Sequence, residues 1–378
     1  MKRIQTGDLF CTVVDNYGDI GIAARLARQL NQEQGLQVRL WVDDLQTFSR
    51  LHPDIAPQAE TQDWHGVEVR RWAATSDEIV PHDLVIEAFA CELPESFLQA
   101  MAAQPVKPVW LNLDYLSAEP WVEGCHGLSS PHPRLPLVRY FFFPGYTSAT
   151  GGLLRERGLI EAVQTFQLDA RSRAAFWQTL NMPLPVAGEL RLSLFAYENP
   201  AIPTLLKSLA DHTSPVSCLL PESKALAPAL AYFGQSQAQA GDRFERGSLS
   251  LHVLPFLAQD QYDRLLWACD LNIVRGEDSF VRAQFAGRPA LWQAYVQEGD
   301  THGKKVQAWL DRYLHGASPR LVAQLQSLFL AWNQGDPLAP AWLESLPGWQ
   351  AHAHRWASQL AALPSLSDAL VNFALNKL

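Results

Sequence analysis

The chain has 378 residues, of which 48% are hydrophobic and 18% charged, and its formal net charge is -9 at pH 7. This length exceeds what one ordinary hydrophobic core supports, so two domains are expected. Lysine and arginine never occur in runs longer than two, which argues against a nucleic-acid-binding surface because phosphate contacts need clustered cations.

Several other classes of protein are also disfavoured. Residues 1–8 contain no apolar segment of the signal-peptide type, and no window approaches the roughly 18 apolar residues of a membrane span. The cysteines are scattered without a CxxC pair, so neither a disulfide framework nor a zinc cluster is indicated. We therefore expect a cytoplasmic protein with no membrane association and no bound metal.

The first half of the chain alternates predicted strands and helices. Residues 9–14 form an apolar run typical of a buried parallel strand, and from Ile20 apolar residues recur at helical spacing. Further strands are predicted at 37–42, 67–71, 83–89, 109–113 and 140–143, with a helix at 94–103. This alternation predicts a doubly wound parallel sheet.

Two acids, Asp15 and Asp19, lie on the turn between the first strand and the first helix. Open α/β sheets bind their ligands at such turns, so both carboxylates are candidate functional groups. The turn alone is also compatible with a structural role, in which Asp15 ends the strand and Asp19 caps the helix. It lacks a GxGxxG motif, so dinucleotide binding is not favoured.

A second α/β unit follows a predicted linker at residues 181–188. Its strands are predicted at 190–197, 216–220, 249–256 and 271–274, with helices at 201–212 and 260–269. After Gly335 the chain is predicted to be helical and rich in tryptophan, with helices at 349–363 and 365–378. Two α/β domains closed by carboxyl-terminal helices would suit a substrate cleft between the domains.

The most informative motif of this second unit spans residues 274–284, VRGEDSFVRAQ. A strand ends at Arg275, Gly276 gives a sharp turn, and a helix is predicted to start near Asp278 or Ser279. A helix N-terminus and a neighbouring arginine together suit a diphosphate. In the alternative interpretation, Asp278 caps the helix and Arg275 pairs with Glu277 at the surface.

Aromatic residues stand at the predicted carboxyl ends of two strands of the second unit. Phe195 and Tyr197 end one strand, and Phe256 ends another, with Gln259 three residues later. Such aromatics could sandwich a base whose edge the glutamine reads, although residues at this spacing more often belong to the core.

Three segments closely resemble the elongation factor P arginine rhamnosyltransferase family: residues 13–21, VVDNYGDIG; residues 194–199, LFAYEN; and residues 274–284. The resemblance covers nearly the whole chain. It implies a GT-B glycosyltransferase with two Rossmann-like domains and an interdomain cleft. The implied acceptor-binding domain spans 1–184, with a helix at about 352–378 packing back on it, and the implied nucleotide-sugar-binding domain spans 185–351.

The resemblance further implies transfer of rhamnose from dTDP-β-L-rhamnose to an arginine of translation elongation factor P, with inversion and without a metal or other cofactor. Asp19 matches the proposed general base, with Asp15 and Glu277 as supporting carboxylates. The three would come from the two domains and meet across the cleft. The implied donor-binding residues are Phe195, Tyr197, Phe256, Gln259, Arg275, Asp278 and Ser279. The bare motifs leave two alternatives: a GT-B transferase with a small-molecule or lipid acceptor, and a nucleotide-binding protein without turnover.

Overall fold

The computed structural model describes residues 3–14, 17–72, 79–295 and 301–378. The chain forms two compact units. The first comprises Met1–Arg157 together with Ala362–Leu378, and the second comprises Gly158–Ala361. Each unit is built around its own, largely parallel β-sheet.

The strands occur in this order: β1 (Thr6–Cys11), β2 (Gln37–Val42), β3 (Thr61–Trp64), β4 (Val67–Arg71), β5 (Leu84–Ala88), β6 (Val109–Leu113), β7 (Ser129–Pro131), β8 (Val138–Phe142), β9 (Leu190–Leu194), β10 (Val216–Pro221), β11 (Arg243–Arg246), β12 (Leu249–Leu254), β13 (Leu271–Arg275) and β14 (Ala290–Gln293).

The helices are α1 (Gly18–Gln32), α2 (Leu45–Leu51), α3 (Glu95–Ala103), α4 (Trp121–Cys125), α5 (Leu159–Leu168), α6 (Ala170–Thr179), α7 (Ile202–Ala210), α8 (Leu226–Tyr232), α9 (Gln259–Ala268), α10 (Asp278–Phe285), α11 (Thr301–Tyr313), α12 (Pro319–Gln334), α13 (Leu346–Ala361) and α14 (Leu366–Leu375). A short 3-10 helix (Pro340–Ser345) precedes α13.

The sheet of the first unit has the strand order β3-β4-β2-β1-β5-β6-β8-β7. Its inner strands are parallel, while β3 and β7 pair antiparallel with their neighbours at the two edges. Helix α14 belongs to this unit: Gln34, two residues beyond the end of α1, donates to Asp368 at 2.6 Å, and the Leu366 N–H donates to the Leu153 carbonyl at 2.8 Å. Strands β1, β5 and β6 are adjacent and parallel, so their carboxyl ends lie side by side at one edge of the sheet.

The sheet of the second unit has the order β11-β12-β10-β9-β13-β14, with β11 antiparallel at one edge. Helices α5 and α6 pack in this unit, because Phe166 and Trp177 share a buried cluster with Leu254 and Leu265. This places the end of the first unit at Arg157 rather than at the expected residue 184. Helix α13 also belongs to the second unit, so the carboxyl-terminal part of the first begins at Ala362 rather than near residue 352.

The predicted alternation of strands and helices is confirmed, and the predicted bounds of β2, β4 and β6 match those of the structure. The prediction that the first strand extends to Val14 is wrong, since β1 ends at Cys11. It ends in register with its neighbour, with Cys11 opposite Val42, the last residue of β2. Beyond it, the Val13 and Val14 N–H groups donate to carboxylates instead of to a strand.

Candidate active site

Asp19 is held in a fixed orientation on the turn that follows β1. It lies in the first turn of α1 and is only 2% exposed. One carboxylate oxygen, Oδ2, accepts from the Val14 N–H at 2.9 Å, and the other, Oδ1, accepts from the Tyr115 hydroxyl at 3.3 Å. Tyr17 occupies the N-cap position of α1, so the interpretation of Asp19 as the helix cap is wrong. The carboxylate therefore lies near the positive end of the helix dipole.

A second carboxylate, that of Asp43, accepts from the Val13 N–H at 2.9 Å on the same turn. The charges of Asp19 and Asp43 both affect the pKa of the buried Cys11 thiol. Burial raises the pKa of this thiol well above its usual range, and the charges of Asp19 and Asp43 raise it further. Cys11 is therefore a neutral core residue, as its apolar sequence context predicts. Asp15, the other acid predicted on this turn, lies outside the described residues.

In the second unit, Arg275 is the last residue of β13 and is held between two rings. The residue is only 9% exposed, and its Cζ lies 4.8 Å from the ring centroid of Phe195 and 4.7 Å from that of Tyr197. Gly276 makes the turn into α10 with φ +64°, a conformation that favours glycine. Its carbonyl accepts from the Trp292 indole at 2.8 Å, which fixes the path of the turn.

The remaining residues of the predicted donor site surround the N-terminus of α10. The Gln259 amide donates to Asp278 Oδ2 at 2.8 Å, and the Ser279 hydroxyl donates to the Arg275 carbonyl. Glu277 is the N-cap residue. The alternative interpretation is therefore wrong on two points: Asp278 is not the cap, and Arg275 is buried rather than at the surface.

Phe256 lies two residues beyond the end of β12 and three before Gln259, close to where the sequence placed it. The structure adds two tyrosines that the sequence did not indicate. The Tyr262 ring lies 5.2 Å from that of Phe195, and the Tyr295 ring lies 5.6 Å from that of Tyr197. For Tyr262, however, the sequence did contain a signal: it follows Gln259 by three residues at the start of a predicted helix, which puts both side chains on the same face.

Tyr262 is unusual because its hydroxyl is buried and has no hydrogen-bond partner among the described residues. Burial raises the pKa of Tyr262 well above the usual range, although the nearby Arg275 acts in the opposite direction. Buried polar groups are nearly always hydrogen-bonded, so an unpartnered hydroxyl at this position calls for an explanation.

Over the described ranges, no three His, Cys, Asp or Glu side chains are grouped so that they could hold a metal ion. In the same part of the chain, no helix is long and apolar enough to cross a membrane.

Comparisons with known proteins define the class first. A solved glycosyltransferase from Rickettsia africae matches at a TM-score of 0.51 with 9% identity, covering 100% of this chain and 97% of the other. Spinosyn rhamnosyltransferase SpnG, in complex with spinosyn aglycone, matches at 0.51 with 11% identity over 96% and 98%. These similarities concern the fold, which is that of the GT-B glycosyltransferases.

The family follows from closer matches. The family model for "Elongation-Factor P (EF-P) rhamnosyltransferase EarP" matches residues 7–375. Protein-arginine rhamnosyltransferases from Pseudomonas putida and Pseudomonas aeruginosa are each 50% identical, over 99% of both chains for the first and over 97% and 98% for the second. A structure described as the basis for EarP-mediated arginine glycosylation of translation elongation factor EF-P matches at a TM-score of 0.71, with 38% identity over 99% of both chains. The chain belongs to the EarP family and is a glycosyltransferase.

Proposed function

We propose that this protein transfers rhamnose from dTDP-β-L-rhamnose to an arginine side chain of elongation factor P in the cytoplasm, with inversion at the anomeric carbon and without a metal. The relatives that are half identical over nearly their whole length carry the name of this activity. The observation that carries the proposal is the placement of Arg275, fixed between Phe195 and Tyr197 at the N-terminus of α10.

The donor site is proposed to lie on the second unit. A diphosphate leaving group needs positive charge, and Arg275 together with the N-terminus of α10 supplies it. Phe195, Tyr197 and Phe256 offer ring faces for the thymine base, and Gln259 offers an amide for its edge. Asp278, which accepts a hydrogen bond from Gln259, and Ser279 are proposed to bind the ribose and the phosphates. A built-in cation of this kind performs the task that a metal performs in other transferases.

The acceptor carboxylates are proposed to be Asp19, Asp15 and Glu277. Asp19 is the one whose orientation the structure defines, through Val14 and Tyr115. A carboxylate can accept two parallel hydrogen bonds from a guanidinium, which would fix the attacking nitrogen in line with the breaking bond.

The proton of the acceptor leaves late. A guanidinium titrates above about 12, so complete deprotonation by an ordinary aspartate before attack would cost roughly 12 kcal/mol. We therefore infer that one N–H proton passes to Asp19 as the nitrogen–carbon bond forms and the bond from the anomeric carbon to phosphate oxygen breaks. The products are dTDP, a rhamnosylated arginine that remains cationic, and one released proton.

The test is intact-mass analysis of elongation factor P after incubation with the protein and dTDP-rhamnose in the presence of a chelator. We expect a mass gain of one deoxyhexose residue with the wild type and none with Asp19→Asn. Absence of a gain with the wild type would contradict the proposal. Transfer to other acceptors without binding of elongation factor P would favour a small-molecule or lipid acceptor.

A further inference from the structure

Three neighbouring strands of the first unit bring three side chains together at one edge of the sheet. Asp19 follows β1, Phe89 follows β5, and Tyr115 follows β6, and these strands are adjacent and parallel. The hydroxyl of Tyr115 donates to Asp19 at 3.3 Å, and its ring stacks on Phe89 with centroids 4.6 Å apart and planes 18° apart. The series of contacts therefore runs from Phe89 through Tyr115 to Asp19.

The backbone at Phe89 adopts a conformation that a bulky residue rarely takes. Phe89 has φ +59° and the following residue, Ala90, has φ +56°. For residues other than glycine, each left-handed conformation is unfavourable, and such residues cluster at functional sites. The Phe89 N–H donates to the Leu113 carbonyl of β6 at 2.7 Å, which holds the ring directly beside Tyr115.

We propose that Tyr115 is a positioning residue of the acceptor site. Its hydroxyl, held in place by the stack on Phe89, fixes the Asp19 carboxylate in the orientation that receives the acceptor guanidinium. The Val14 N–H fixes one oxygen of Asp19 and Tyr115 fixes the other, so the carboxylate cannot rotate. The inference rests on the proposed function, because it assigns a task to the Asp19 carboxylate.

The kinetic test compares Tyr115→Phe, which removes only the hydroxyl, with the wild type over a range of pH. We expect kcat to fall about 10-fold, since a lost hydrogen bond to a charged group is worth roughly that factor. The KM for dTDP-rhamnose should stay within about twofold, and the acidic limb of the pH profile should move to higher pH. Tyr140→Phe is the matched control, because Tyr140 packs against Phe373 elsewhere in the unit.

A second variant addresses the stack. Phe89→Leu keeps the hydroxyl of Tyr115 but removes the ring beneath it, so a smaller loss in kcat is expected. Wild-type kcat in this variant would overturn the role of the stack. Wild-type kcat and pH profile in Tyr115→Phe would overturn the role of the hydroxyl, and with it the inference.

A carboxyl titration gives a readout that does not depend on turnover. In protein labelled with ¹³C at aspartate carboxyl groups, the Asp19 signal is the one missing from Asp19→Asn. Loss of a hydrogen bond to the charged form should move its titration upward by about half a pH unit in Tyr115→Phe. An unchanged titration would overturn the inference. If the wild type transfers no rhamnose, the proposed function fails and the inference falls with it, whereas an active wild type with an unaffected Tyr115→Phe variant sinks the inference alone.

Discussion

The guanidinium of Arg275 lies over the ring of Tyr197, with Cζ 4.7 Å from the ring centroid, and an almost equal distance of 4.8 Å separates it from Phe195. These contacts restrain the flexible Arg275 side chain at the end of β13, just before α10 begins. Attraction between a cation and a ring of this kind is worth about 0.5–2 kcal/mol, depending on desolvation. A preordered cation loses little conformational entropy when it binds a diphosphate.

Replacement of Arg275 by lysine keeps the charge but removes the planar group that both rings contact. We expect dTDP to bind about 10- to 100-fold more weakly, which corresponds to roughly 1.4–2.8 kcal/mol. Isothermal titration calorimetry with dTDP measures this directly. Arg264→Lys, at an exposed position of α9, is the control and should bind dTDP as the wild type does. Equal affinities of the two variants would contradict the placement of the diphosphate at Arg275.

Tyr262→Phe should separate stability from affinity. In the free protein the hydroxyl of Tyr262 is buried and has no hydrogen-bond partner within the part of the chain that the structure describes, so its removal should leave thermal stability unchanged or slightly raised. If the hydroxyl is satisfied by the bound nucleotide, the same substitution should weaken dTDP binding by about 1 kcal/mol, or roughly fivefold. Thermal unfolding with and without dTDP reports both effects. A loss of stability in the free protein would show that the hydroxyl is satisfied without ligand.

Gly152 packs closely against the carboxyl-terminal segment of the first unit. Its φ is +70°, and a Cβ at this position would lie 2.3 Å from the Pro364 carbonyl oxygen. Gly152→Ala combines an unfavourable backbone conformation with a clash against main chain, so a loss of about 2–4 kcal/mol is expected. Gly158→Ala is the control: φ there is +82°, but no atom of the described residues lies within 4 Å of the added methyl group. That variant should lose only about 1 kcal/mol in urea denaturation, and equal losses would refute the clash.

The sequence supported the class of fold because the period of apolar residues changes cleanly between strands and helices. Its errors have physical causes. The prediction extends the first strand to Val14 because residues 12–14 are apolar or β-branched, whereas the Val13 and Val14 N–H groups donate to Asp43 and Asp19. The edge strands β3, β7 and β11 are short, partly exposed and antiparallel, so they lack the continuous apolar signal of a buried strand.

The local structure around Arg275 was predictable to a similar extent. Arg275 and Ser279 belong to a motif whose turn and helix start can be read locally. The contribution of Tyr115 could not be read in that way, because its contact with Asp19 joins residues 96 positions apart. The left-handed backbone at Phe89 also gives no local signal, since neither Phe89 nor Ala90 favours that conformation.

His252 on β12 should make the second unit sensitive to acid. Burial and the charges of Arg243 and Arg191 lower its pKa from 6.5 to about 4, with Glu189 and Glu245 acting in the opposite direction. The folded protein therefore holds His252 neutral while the unfolded chain binds a proton below pH 6.5, so stability is full above that pH and is lost as the pH falls towards 4. The loss attributable to this group should reach about 2–3 kcal/mol. Urea denaturation at intervals between pH 8 and pH 4.5 measures it, and His252→Gln should show a shallower decline. At pH 8 the histidine is neutral in both the folded and the unfolded protein, so the difference in unfolding free energy between wild type and His252→Gln at that pH is the reference. An equal decline in the stability of both proteins at lower pH would refute the assignment.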